Sequence, residues 1–306
     1  MRSESRRGSR SLIAVAALLP TCCAGWLVWQ SFDDPQEPSA GAFPAPSSSS
    51  SARPSPSSSR TEQAKEADKP DGKGGSGGQG PLSGMVVVLD PGHNVHNRDH
   101  RAEINRKVDA GTFRKECDTT GTATNSGYTE AEFTLDVSRR VGKLLKARGA
   151  TVKFTQNGDR PWGPCVDERA RIGNKAHADA AVSIHADGSL GTGNRGFHVI
   201  VPRSVRTSSA DTTAIVGPSR RLGRQLKKHY AEATSFPLAN YLGGGSGLTV
   251  REDLGGLNLS KVPKVFIECG NMRNATDARG LTSASWRQLA AKGIAEGISA
   301  FLVNNS

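Results

Sequence analysis

The sequence predicts a single α/β domain in which a mostly parallel, mixed sheet is covered by helices on both faces. Short apolar runs alternate along the chain with longer segments in which apolar residues recur at helical spacing. Two of these runs, 85–90 and 265–268, are apolar almost to their last residue, which is typical of strands buried on both sides of a sheet. No internal repeat points to a different architecture.

Each element in the first half of the domain has its own signal. The first strand ends at Pro91-Gly92, which forces a turn. Residues 94–126 are polar, with several charges and glycines, and are predicted to be a long loop. A helix is predicted over 129–148, because apolar residues repeat at helical spacing until Gly149 stops the run. A strand over 151–155 and a helix over 167–178 are predicted next.

The second half of the domain follows the same criteria. Apolar runs predict the strands, a glycine-rich stretch at 243–247 precedes one of them, and residues 203–218 look like a loop. The predicted strands cover 180–184, 196–201, 248–250 and 265–268, and the predicted helices cover 219–233 and 282–302.

The residues before this domain differ in composition. Residues 31–82 are rich in Ser, Pro, Gly and Ala, so they are predicted to be a disordered linker. Residues 1–30 combine a basic start with a mostly apolar run, which is typical of an export signal or a signal anchor, cleaved or retained. We therefore expect residues 83–306 to form the functional domain in the extracellular or cell-wall space, with membrane contact only through the N-terminal segment.

The charge of the chain is strongly positive. The formal net charge is +11, and residues 81–306 carry 31 Lys and Arg against 21 Asp and Glu, an excess of +10. A basic surface favours polyanions, which include anionic wall polymers, although a solvated surface is an equally good interpretation. The basic residues form no long run and no nucleic-acid motif is present, so nucleic acid is not an expected partner.

The five cysteines fall into three groups. Cys22 and Cys23 lie in the export segment. Cys117 and Cys165 lie in polar, loop-like stretches, and in an oxidising compartment they are expected to form a disulfide. Cys269 lies in an apolar strand, which predicts an inert buried thiol.

Residues able to bind a metal follow three of the predicted strands. His93, His185 and Glu268 each come at the end of an apolar run, and ligands of open α/β sheets bind beyond the carboxyl ends of the strands. Glu130 opens the helix after a turn and can face the same edge. Two histidines and a carboxylate are a known ligand set for catalytic zinc, with the fourth position left for water. The sequence therefore predicts one zinc ion held by His93, Glu130 and His185, with Glu268 as the general base.

Other interpretations stay open at this point. A histidine at a strand end is often only a hydrogen-bonded structural residue. Glu130 could simply be a first-turn glutamate that the helix dipole stabilises. A zinc peptidase, a catalytically silent wall-binding module and a basic nucleic-acid-binding protein are alternative functions. The remaining histidines are interpreted as structural: His96, His100, His177, His198 and His229.

Four motifs follow one another along the domain: Val-Leu-Asp-Pro-Gly-His93, Gly127-Tyr-Thr-Glu130, Val182-Ser-Ile-His185-Ala-Asp187 and Val265-Phe-Ile-Glu268-Cys-Gly-Asn271. In these motifs and their order, over roughly residues 84–303, the sequence resembles the zinc-dependent N-acetylmuramoyl-L-alanine amidases of the type-3 amidase family. The chain departs from the family at Asn94-Val95, where Gly-Gly is usual, and in the long stretch between His93 and Glu130.

The resemblance implies an activity and a substrate. It implies hydrolysis of the amide bond between N-acetylmuramic acid and L-alanine in peptidoglycan, by a monomeric enzyme that contacts the muramic acid and the stem peptide. Arg169 and Asn174 match positions where the family often has Arg and Asn, and Asp187 stands where it usually has Asn. Together with Asn271, these residues are predicted to line the substrate groove or to support the metal ligands.

Overall fold

The computed structural model describes residues 80–304. The predicted export segment, nearly all of the predicted linker, Cys22 and Cys23 lie outside the described residues. Within residues 80–304, no helix is both long enough and apolar enough to cross a membrane.

The described chain forms the predicted α/β domain around a six-stranded sheet. Its strands in chain order are β1 (Val86–Pro91), β4 (Thr151–Phe154), β5 (Ala180–Asp187), β6 (His198–Pro202), β7 (Leu248–Arg251) and β8 (Lys264–Asn271), with a separate hairpin of β2 (Lys107–Asp109) and β3 (Arg114–Glu116). The order across the sheet is β4-β1-β5-β8-β6-β7. The β6–β8 pairing is antiparallel and the other pairings in this sheet are parallel, which confirms the mostly parallel mixed sheet.

Helices cover both faces of the sheet. They are α1 (Arg101–Asn105), α2 (Glu130–Ala147), α3 (Val166–Lys175), α4 (Thr213–Thr234), α5 (Gly255–Asn258), α6 (Ala275–Thr282) and α7 (Ala284–Val303), with short 3-10 turns at Asn97–Asp99 and Gly243–Gly245. Helices α2, α4 and α7 pack on one face and form the main core with alternate strand residues such as Leu89, Ile184 and Ile267. The residues between these, including Asp90, His185 and Glu268, therefore project towards the opposite face, because successive strand side chains alternate.

The structure differs from the predicted elements at three places, each for a local reason. Residues 94–126 are not a continuous loop, since they contain a 3-10 turn, α1 and the β2–β3 hairpin. Helix α4 begins at Thr213 and holds Pro218 inside it, and Ile215 in this extra turn is buried. The segment 275–282 is a separate helix, because the side chain of Asn274 accepts hydrogen bonds from the first free N–H groups and caps it.

Candidate metal centre and active site

The three strands whose ends were predicted to converge are neighbours. Strand β1 pairs with β5, and β5 pairs with β8 so that His185 and Glu268 are partners in register. Metal-binding atoms of His93, Glu130 and His185 all lie within 4.8 Å of one another. The structure thus brings the three predicted ligands together at the carboxyl edge of the sheet, beside Glu268.

Local sequence places Glu130 at the first position of α2. Thr129 caps the helix in a capping box with Glu132, so the helix cannot begin later. The N–H of Thr122 donates to Oε2 of Glu130 at 3.0 Å, and the N–H of Ala186 donates to Oε1 at 3.2 Å. These bonds hold the carboxylate between the two imidazoles.

The contacts of Nδ1 orient the ring of His93. Its Nδ1 lies 3.1 Å from the carbonyl oxygen of Thr119 and 3.4 Å from Oδ1 of Asp118. Because a carbonyl oxygen can only accept, Nδ1 carries a proton, and Nε2 lies 3.1 Å from Oε2 of Glu130. Metal-binding histidines are commonly fixed in this way by a carbonyl or carboxylate on the other nitrogen.

His185 is held on two sides. Its Nδ1 lies 2.9 Å from Oε1 of Glu130, and its ring stacks on Phe266 with centroids 5.2 Å apart and planes at 19°. A Cβ atom on Gly92 would lie 2.3 Å from this imidazole. The glycine of the Pro91-Gly92 turn is therefore needed for close approach of the backbone to the ring.

Opposite charges set the protonation of the cluster. Burial by itself would lower the pKa of His93, but Glu130 and Asp118 outweigh it and raise this pKa well above its ordinary value. Burial would raise the pKa of Glu130, yet the two histidines lower it. The protonation states of the three side chains thus depend on one another, and a bound cation could hold the side chains in one arrangement.

Glu268 is the second carboxylate of the site. Its Oε2 is buried and has no hydrogen-bond partner among the described residues. Burial raises its pKa well above the ordinary range, and the nearby charges of Glu130 and Asp187 raise it further. Cys269, the next residue, points into the main core and is a free buried thiol, as predicted.

A buried ionic network lies directly behind the candidate metal-binding residues. Arg169 is 5% exposed and uses its guanidinium in five hydrogen bonds, to Asp90, Asp118 and the carbonyl groups of Pro91, His93 and Pro164. Burial would raise the pKa of Asp118, but Arg169 and His93 lower it to about 2, so its carboxylate is ionised. Arg169 therefore supports His93 from behind the ring.

The site opens into a cavity of about 240 Å³. Its walls are formed by segments that lie far apart in sequence. Strand β3 supplies Lys115 and Glu116, β7 supplies Arg251, and Leu254 and Phe266 add apolar surface. The long stretch after His93 therefore forms part of the cavity wall, through the hairpin that sequence patterning did not predict.

The other residues that were predicted near the groove differ in whether they line the cavity. Asp187 lines the cavity, where it accepts a hydrogen bond from Tyr241 at 2.8 Å. Asn271 is fully buried and binds the carbonyl groups of Ser189 and Asn194. Asn174 bonds to the backbone at Leu259 and Lys261. Asn271 and Asn174 do not line the cavity and hold surrounding loops in place.

Sequence reasoning missed Asp118, Lys264 and Phe266. Asp118 lies in a polar stretch that looks solvated, and its only signal was the neighbouring Cys117. Of the competing histidines, His100 pairs with Glu103 and His229 with Glu232. His198 differs from these two histidines because it is buried and lies opposite Glu268 in the pairing of β6 with β8.

The predicted disulfide is present. Cys117 and Cys165 are bonded across 48 residues of sequence, and both are buried. The N–H of Val166 also donates to the carbonyl of Cys117 at 2.8 Å. The bond thereby joins the segment that carries Asp118 to the start of the helix that carries Arg169.

Replacing both of these cysteines by serine should lower the free energy of unfolding by about 2 to 4 kcal/mol, because a long loop in the unfolded chain is no longer closed. Urea unfolding of the two proteins measures the difference. A reducing agent should shift the wild-type transition towards that of the Cys117→Ser, Cys165→Ser variant and leave the variant unchanged. Identical transitions for both proteins, or two free thiols at these positions in the folded wild type, would contradict the prediction.

The fold and the site together define a class of protein: a mostly parallel α/β enzyme domain with candidate metal-binding residues at the carboxyl edge of its sheet. Residues 87–300 match the model of the family Amidase_3, described as N-acetylmuramoyl-L-alanine amidase. The chain belongs to this family and is a hydrolase that acts on peptidoglycan.

Individual relatives agree with this assignment. The chain is 41% identical over 223 residues to the N-acetylmuramoyl-L-alanine amidase Rv3717 of Mycobacterium tuberculosis, covering 72% of this chain and 88% of that protein. The crystal structure of the amidase Ami1 from Mycobacterium smegmatis aligns with a TM-score of 0.66 and 40% identity, over 74% of this chain and 99% of that one. Apo Ami1 from Mycobacterium abscessus aligns with a TM-score of 0.66 and 39% identity, over 72% and 100% of the two chains.

Proposed function

We propose that this chain binds one zinc ion through His93, Glu130 and His185 and cleaves the amide bond between N-acetylmuramic acid and L-alanine, with Glu268 as the general base. The observation that carries the proposal is the convergence of these three side chains next to a buried carboxylate in one cavity. The family relationship supports the choice of bond.

The residues fit zinc in kind and in arrangement. Two imidazoles and one carboxylate are a common donor set for catalytic zinc, which leaves a coordination position free. His93 presents Nε2 inwards because its Nδ1 is engaged by Thr119 and Asp118. The carboxylate of Glu130 lies between the two imidazoles, and one ligand atom of each of the three residues lies within 4.8 Å of the others.

Zinc bound there would polarise the scissile carbonyl and lower the pKa of the attacking water. A cation bound there would lower the raised pKa of the Glu268 carboxyl group. The ionised carboxylate would then take a proton from the water as the oxygen of that water attacks the carbonyl carbon of the lactyl group. It passes that proton to the nitrogen of L-alanine as the C–N bond breaks. The products are the lactyl carboxylate on the glycan and a stem peptide with a free amino terminus.

Export and the basic charge of the domain support a role at the cell wall. The N-terminal segment would carry the domain out of the cytoplasm, as a cleaved signal or as an anchor, and the linker would give it reach. The +10 excess over residues 81–306 favours attraction to anionic wall polymers. We infer that the enzyme works as a monomer in wall remodelling or daughter-cell separation.

Digestion of purified peptidoglycan by the full chain, followed by mass spectrometry of the products, tests the proposal. We expect intact stem peptides that begin with L-alanine, together with glycan strands that have lost them. A chelator should stop the reaction and added zinc should restore it. Peptides cut within the stem would indicate a zinc peptidase, and hydrolysis that persists in chelator would contradict the role of zinc.

A further inference from the structure

Strand β8 carries an unusual row of side chains on the face towards the site. Lys264, Phe266 and Glu268 alternate with the core residues Val265 and Ile267, so all three project to the same side of the sheet. Glu268 is the proposed base. Lys264 lies two positions before Phe266 in this row and is only 2% exposed.

The buried ammonium of Lys264 is connected to His93 by hydrogen bonds. Its Nζ donates to Oδ2 of Asp90 at 2.9 Å. Oδ1 of the same carboxylate accepts from Arg169 at 2.8 Å, and Arg169 donates to the carbonyl oxygen of His93 at 3.0 Å. Thr155 and Ser183 complete the partners of Asp90, so the position of this carboxylate is fully determined.

A second route leads from Lys264 to His185. The ammonium lies 5.6 Å from the centroid of the Phe266 ring, and that ring also stacks on the imidazole of His185. A Cβ atom on Gly256 would lie 3.1 Å from the Phe266 ring and 3.4 Å from Nζ. The backbone of α5 therefore closes over the lysine and the ring together and leaves them little freedom to move.

Lys264 contributes to the charge balance of the buried network behind the site. Asp90 and Asp118 are two buried carboxylates, and Arg169 is one buried guanidinium that bonds to both. Lys264 is the second cation. An apolar side chain could fill this buried strand position without the free-energy cost of desolvating a charge. The presence of a cation here therefore indicates a role other than packing.

We propose that Lys264 is a positioning residue for the metal centre, which holds His93 through Asp90 and Arg169 and holds His185 through Phe266. This inference rests on the proposed function, because it concerns the geometry of the zinc ligands. Lys264 does not line the cavity and is not one of the three candidate metal ligands. It acts by keeping both imidazoles in the orientation that binds the ion.

The test measures zinc affinity and stability of the full chain side by side. Lys264→Met should weaken zinc binding about 10- to 100-fold, the range found for loss of outer contacts of metal ligands. At saturating zinc, kcat should fall while KM changes little, because the substrate contacts remain. Phe266→Leu keeps the ion pair and removes only the ring, and it should also weaken zinc binding.

Two further variants separate positioning from simple loss of stability. Asp90→Asn combined with Lys264→Met removes both partners of the ion pair, so it should regain much of the thermal stability but not the zinc affinity. Leu145→Ala opens the core at the far end of α2, and it should lower stability while zinc affinity of the folded protein is kept.

Unchanged zinc affinity and unchanged kcat in both Lys264→Met and Phe266→Leu would overturn the inference and leave Lys264 with a purely structural role. Zinc affinity that recovers in the double variant along with stability would overturn it as well. Failure of the wild type itself to bind zinc would instead contradict the proposed function, so the two failures are distinguishable.

Discussion

Glu268→Gln is expected to reduce amide hydrolysis by about 10²- to 10⁴-fold, the usual contribution of a positioned general base, while zinc remains bound. The amide of glutamine preserves the shape of the side chain but cannot accept the proton of the attacking water. Glu268 also lies outside the set of three side chains whose ligand atoms converge, so its loss leaves that set intact. Turnover of purified peptidoglycan and zinc content of the same sample measure the two effects.

A matched control comes from another acidic residue of the same cavity. Glu116 lines the cavity wall and is paired with Lys107 on the hairpin. Glu116→Gln removes one negative charge from the cavity but no proton acceptor at the metal-binding residues, so turnover should stay within a few-fold of wild type. Near wild-type turnover by Glu268→Gln would rule out its role as base, whatever the family relationship.

His185→Ala should lose zinc and activity together. Removal of the imidazole takes away one of three donors, and the loss in zinc affinity should exceed the roughly 100-fold that removal of an outer contact can cost. The variant also loses the ring that stacks on Phe266 and the partner of Glu130. Titration with zinc in the presence of a competing chelator measures the affinity, and the wall-digestion assay measures the activity.

His96→Ala serves as the matched control. His96 is an exposed histidine close to His93 in sequence, but it does not line the cavity. Its replacement should leave zinc affinity and turnover unchanged. Stoichiometric zinc bound with wild-type affinity by His185→Ala would remove this residue from the ligand set.

The four central residues could be predicted from sequence because each stands at a recognisable boundary. His93, His185 and Glu268 end or closely follow apolar runs, and Glu130 begins a capped helix. Parallel strands bring their carboxyl ends to one edge, so residues far apart in sequence meet there. The structure confirms that these residues meet.

The supporting residues could not be predicted in the same way. Lys264 precedes an apolar run and looks like an exposed residue at the start of a strand, yet it is buried against Asp90. The hairpin of β2 and β3 has strands of only three residues each, which is too short for periodicity to appear. It is joined to the rest of the domain through the disulfide that follows it.

The amino-acid sequence by itself determined the fold class, the disulfide partners and the four side chains that meet at the edge of the sheet, because these depend on local periodicity and on residues with few alternative uses. Only the tertiary structure decided which polar residues are buried behind the candidate metal ligands and which residues form the wall of the cavity. Burial of Lys264, Asp90, Arg169 and Asp118 depends on charges that lie up to 174 residues apart and neutralise one another only after the sheet has formed. No local pattern encodes that balance.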